Sequence, residues 1–199
     1  MFIALVIVLI LFIFAFICFL TYLRRMTSET YMKFCLKKVN RIAKRKKLLS
    51  ILDLNLLNHE REKLNVHHVI FGKKYIYLIS DIMLKGFVSG EVNDNSWVYF
   101  NNITKQTHYL DNLDKVSSKN IHDFSGILGI SEDLIASICL VPNECDLTIN
   151  GLENKNKVIV HYGGLNRIIS TLERKPIGSL KEEQIIEQYE TIKRKNEER

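Results

Sequence analysis

The chain has 199 residues, 28 of them Lys or Arg and 22 Asp or Glu, for a formal net charge of +6. Its four cysteines form no C-x-x-C pair, which excludes a zinc ribbon and a dithiol redox motif. The chain also lacks a P-loop, a G-x-S-x-G elbow, an H-E-x-x-H helix and a glycine-rich dinucleotide turn, and with them the chemistries those motifs carry.

Residues 2–23, FIALVIVLILFIFAFICFLTYL, carry no charge. At ~1.5 Å per residue a helix of this length spans about 33 Å, enough for a bilayer core, so residues 1–23 are predicted to be a transmembrane helix. A cleaved signal peptide fits poorly. It lacks a basic n-region, the apolar run is too long, and no A-x-A site follows.

Residues 24–47 hold ten Lys/Arg and one acid, leaving 18 basic residues against 21 acids in 48–199, a net charge of −3 there. The positive-inside rule then places the N-terminus outside and the rest in the cytoplasm, as a single-pass cell-membrane protein. Arg24, Arg25, Lys37, Lys38, Arg41, Lys44, Arg45, Lys46 and Lys47 are the expected membrane-surface residues. They suit either an anionic inner leaflet or a purely topological role, and both readings stay open.

Within this segment residues 28–46 read as a helix. Ser28 is the expected cap, Glu29 lies in the first turn, and Tyr31, Phe34, Cys35, Val39 and Ile42 recur at helical spacing. Strands follow: residues 48–57 alternate, 65–71 (NVHHVIF) form a second strand, GKK turns the chain, and 75–80 (YIYLIS) are apolar on both faces. KGFVSGEV and SWVYF flank NDN as a hairpin.

Residues 102–116 carry Ile103, Gln106, Leu110 and Leu113 on one helical stripe and are predicted helical. Strands at 134–141 and 156–162, a helix marked by Leu165, Ile168, Ile169 and Leu172, and a last helix over 180–193 complete the pattern. The expected architecture is a basic helix at 24–47 that starts an α/β domain at 48–175, then a charged helix or tail at 176–199. Its core is a mixed central sheet flanked by helices.

The order of parts resembles the nuclease-related domain family, NERD, a relative of the restriction-endonuclease-like PD-(D/E)XK fold. The resemblance rests on the acid-bearing first helix, HHVIFGKKYIYLIS, LKGFVSG, the tryptophan hairpin and NNITKQTHYL, and it covers roughly Thr27 to Leu172. It implies an acid in the first helix, matched by Glu29, and an Asp-His-type start to the second strand, where this chain has His67 and His68. It further implies Glu-x-Lys ahead of a glycine. Counting back from Gly86 puts Ser80 and Ile82 at those positions. Gln106 stands where the family shows Asn-Pro-x-x-Gln, with the proline absent.

Phosphodiester hydrolysis needs carboxylates to hold Mg²⁺ and a lysine to position the water. Strand alternation puts Asp81 on the opposite face from Ser80, so Asp81 cannot stand in for the missing glutamate by proximity alone. Asp81 therefore reads as a strand-end turn residue and the site as a vestige. Adjacent histidines of one strand point to opposite faces, which argues against a shared metal.

The leading expectation is a binding or scaffold domain without catalysis, with no cofactor. The alternative is a divergent nuclease using Glu29, Asp81 and Mg²⁺, and a third reading is a membrane adaptor. The expected partners are the bilayer and, from the basic segment, nucleic acid. No protein partner is implied.

Overall fold

The computed structural model describes residues 9–18, 27–58, 60–152, 156–176 and 179–197. The apolar N-terminal run corrects the first expectation. Its described helix, α1, covers residues 9–18, 10 residues and about 15 Å of rise. Among the described residues no helix is long and apolar enough to cross a membrane. That finding overturns the single-pass span, the topology deduced from it and the cell-membrane localisation. The rest of the predicted span, and Arg24 and Arg25 with it, lie outside the described residues.

Helix α2 (Ser28–Lys46) is an integral part of the domain. Its cap is Thr27 rather than Ser28, with Thr27 Oγ1 accepting from the Thr30 N–H at 3.2 Å. The helical stripe is Tyr31, Cys35, Val39, Ile42 and Ala43, all buried, whereas Phe34 is turned outward. The helix stops at Lys47, whose left-handed φ of 54° closes the last turn.

A five-stranded sheet runs β1 (Leu49–Leu52), β2 (His68–Phe71), β3 (Ile76–Asp81), β7 (Ile135–Val141), β9 (Lys157–His161). The first three strands form an antiparallel meander, and β7 and β9 continue parallel to β3. A parallel connection requires a crossover, and α3 (Leu113–Leu128) lies in the connection between β3 and β7. Helices α2 and α4 (Leu165–Leu172) cover one face, on Ile70, Tyr77, Ile79, Ile138 and Leu140. Helices α3 and α5 (Glu182–Glu197) cover the other, on Val69, Phe71, Ile76 and Leu78. Every residue of β3 is buried, as its two apolar faces require.

A second sheet, ordered β6 (Thr107–Asp111), β5 (Ser96–Asn101), β4 (Gly86–Glu91), β8 (Asp146–Asn150), packs through Trp97, Val88 and Tyr99 onto Cys139 and Val141. Gly86 allows the chain to enter it. Its φ is +149°, and a Cβ there would stand 2.0 Å from the Phe100 carbonyl oxygen.

The predicted helix at 102–116 is instead a turn, then β6, then the first turn of α3. Its helical spacing arises by chance across three separate elements, with Ile103 and Gln106 in the turn, Leu110 in β6 and Leu113 in α3. Pairing of Trp97 with Leu110 and Val98 with Tyr109 selects the strand, and Asn112 Oδ1 caps the helix by accepting from the N–H groups of Asp114 and Lys115. Strand β8 was not anticipated, although DLTIN alternates polar and apolar residues as a half-buried strand does.

Candidate functional site

The open end of β3 brings together residues that the sequence keeps 13 and 14 positions apart. The β2–β3 hairpin pairs His68 with Ile79, which sets the start of β2 beside the end of β3. His67 precedes β2 and escapes its alternation, so both histidines reach Asp81. His67 Nδ1 lies 2.6 Å from Asp81 Oδ1, and His68 Nε2 lies 3.6 Å from the same oxygen. The Asp81 side chain is 0 % exposed, His68 4 % and His67 26 %. Asp81 is therefore a buried carboxylate rather than the expected turn residue, and the two histidines do not diverge as ideal strand geometry implied.

Two unprotonated lone pairs repel at 2.6 Å, so a proton lies between His67 Nδ1 and Asp81 Oδ1. The tautomer of His68 is fixed from its other side. The Asp53 N–H donates to His68 Nδ1 at 3.2 Å, which leaves the hydrogen on Nε2. Burial holds the His68 pKa below its usual value, opposed by the nearby Asp81 charge, so this imidazole is kept neutral.

Helix α2 closes the site from above. The Tyr31 hydroxyl is pushed up in pKa first by burial and then by Cys35, Asp81 and Cys139. Cys35 and Cys139 are both pushed up to about 12, first by burial, with Asp81 adding to the shift. They are inert thiols. Tyr31 Oη, His68 Nε2 and Asp81 Oδ2 are buried and have no hydrogen-bond partner among the described residues.

The other positions implied by the family resemblance do not converge here. Glu29 points outward, 77 % exposed and paired with Lys33 at 2.5 Å, which lowers its pKa. Ser80 lies on the opposite face and donates to the Asn65 carbonyl, which Asn120 Nδ2 also contacts at 3.0 Å. Ile82 continues the strand, its N–H donating to the Leu140 carbonyl at 2.9 Å. Gln106 is exposed in the turn before β6, its carbonyl accepting from the Asn101 N–H at 2.9 Å, rather than ahead of a helix. Among the described residues no group of three or more His, Cys, Asp or Glu is placed to hold a metal.

The basic residues of α2 divide in two. Lys38 turns inward, its Nζ donating to the Tyr162 carbonyl at 2.5 Å and lying 4.0 Å from the ring centroid, and Lys46 Nζ donates to Ser170 Oγ at 2.7 Å. Lys37, Arg41, Lys44 and Arg45 face out with Asn40, lining a shallow depression of about 590 Å³ with no acid in its lining.

No protein-family model matches the chain, and neither a curated protein nor a solved structure matches it.

Tyr31 reads in the sequence only as part of a core stripe, and His68 only as a residue pointing away from His67, so neither is expected at Asp81. A signal for His68 was present. A hairpin turned at GKK places HH opposite the strand end that carries Asp81.

Proposed function

We propose that this chain is a binding domain that resembles the nuclease-related family without its hydrolysis, and that it holds the phosphate backbone of nucleic acid on the outer face of α2. One observation carries the reading: Lys37, Arg41, Lys44 and Arg45 line a single exposed depression free of acids. The inner stripe of the same helix is buried in the core, so these cations stand on a fixed element. A rigid row of cations suits regularly spaced phosphates and is neutral to sequence.

Placement supports the part of the reading that leaves out hydrolysis. The acid of α2 and the acid of β3 occupy opposite environments, Glu29 in solvent and Asp81 closed over by His67. Glu29 is paired with the exposed Lys33, Asp81 is engaged by His67, and the Ser80 hydroxyl faces away.

The test is a titration of the full chain with duplex DNA, single-stranded DNA and RNA across salt. Four phosphate contacts predict a log–log salt slope of about −3 to −4, and charge reversal of Lys37 and Arg41 should remove about two of those contacts. Binding that ignores salt, or capture by anionic vesicles and not by nucleic acid, would overturn the reading. So would Mg²⁺-dependent cleavage lost in both Glu29→Gln and Asp81→Asn.

A further inference from the structure

A second depression, which shares no lining residue with the first and does not include Asp81, combines features that point to a different ligand. It lies where the end of α2, the start of β1, the β2–β3 turn and the start of α5 meet, and it measures about 690 Å³. That is within the range of pockets that hold small molecules, roughly 300–1,000 Å³. Its floor is apolar, built from Leu49, Phe71, Ile185 and Ile186 among others. Leu49 is 38 % and Ile186 49 % exposed, so two large aliphatic side chains of this one depression are left to water.

The rim has the opposite chemistry. Lys46, Lys47 and Lys73 line it against a single acid, Glu182, for a net +2. Lys46 is engaged by Ser170. Lys47 is set on the left-handed cap of α2 and Lys73 in the hairpin turn, so both flexible stems rise from fixed backbone beside the aliphatic floor. A purely apolar guest would leave the cations unused, and a free anion would leave Leu49 and Ile186 wet.

We infer that this groove binds a single-chain amphiphile with an anionic head, of the long-chain carboxylate class. The chain lies over Leu49 and Ile186, and the head meets Lys47 and Lys73. Charge complementarity at the rim selects the head, and burial of exposed aliphatic surface supplies the non-specific part of the affinity. The inference is independent of the nucleic-acid reading, since the two surfaces share no residue.

The test uses the full chain, a palmitate carrying a diazirine on its acyl chain, and the matching diazirine hexadecanol. After irradiation and digestion, label from the acid should concentrate in residues 46–49, 71–73 and 180–186. It should exceed label from the alcohol there, and fall at least fivefold in Lys47→Glu/Lys73→Glu. Both lysines are surface residues, so folding is checked by an unchanged melting curve. Label confined to other segments, or undiminished in the double variant, overturns the inference. Equal labelling by acid and alcohol does so too, because it makes the groove a generic apolar contact such as a second copy would cover.

Discussion

His67 Nδ1 and Asp81 Oδ1 stand 2.6 Å apart across the mouth of the β2–β3 hairpin, one ring edge in solvent and one carboxylate fully enclosed. The pair fastens the start of β2 to the end of β3. A buried carboxylate without its partner costs far more than the pair itself contributes. A double-mutant cycle with His67→Ala and Asp81→Asn, measured by urea unfolding, should give a coupling energy of about 1–3 kcal/mol. A coupling below about 0.5 kcal/mol would show that the contact is incidental.

Neutral His68 makes stability depend on acid. Its folded pKa is lowered by burial, so below the ordinary value of about 6.5 the unfolded chain binds more protons than the folded one. Stability is therefore retained above that pH and falls as pH drops below it. Replacing His68 with Gln should flatten the part of the pH–stability curve that lies below about 6.5. His122 shifts the other way, raised by its hydrogen bond to Glu132, but it is exposed and adds little. An unchanged slope in His68→Gln would refute the assignment.

Restoring the family pattern by Ser80→Glu and Ile82→Lys should not create a nuclease. Position 80 faces Asn65 and α3, on the other side of the sheet from Asp81, and is 5 % exposed. The new carboxylate would be buried without a cation, destabilising the fold by several kcal/mol. Thermal melting and a Mg²⁺ or Mn²⁺ cleavage assay check both halves. Metal-dependent cleavage by this variant would mean that the site is built on the Ser80 face after all.

Helix α2 belongs to the domain rather than to a stalk beside it. A chain begun at Leu48 loses Tyr31, Cys35, Val39, Ile42 and Ala43 from the core, each nearly inaccessible. Burial of one large side chain is worth about 1.5–3 kcal/mol, so losing Tyr31, Val39 and Ile42 alone is comparable to the whole stability of an ordinary domain, about 5–15 kcal/mol. Circular dichroism and amide-exchange measurements should find that truncated chain unfolded. A cooperative melt near that of the full chain would separate α2 from the fold.

Several features were legible because they depend on neighbours along the chain. The stripe of α2 repeats every three to four residues. The run Tyr75–Ser80 is apolar on both faces and can only be a covered strand. Gly86 announces a backbone that no larger residue adopts. Ser80 and Asp81 were also correctly assigned to opposite faces, since alternation within a strand is a local rule.

Tertiary structure alone decided the rest. Residues 107–111 read as helical from the spacing of their neighbours, and pairing with β5 makes them a strand instead. The length of the apolar N-terminal run permitted a membrane span, but among the described residues no helix is long and apolar enough to cross a membrane. The fate of Asp81 was equally hidden. A carboxylate at a strand end is cheap in water and costly when enclosed, and only the hairpin that brings in His67 and His68, under the lid formed by Tyr31 and Cys35, determines which it is. Local periodicity fixes which way a side chain points. What waits there is set by segments far away in the chain, through contacts whose closure no single stretch of sequence encodes.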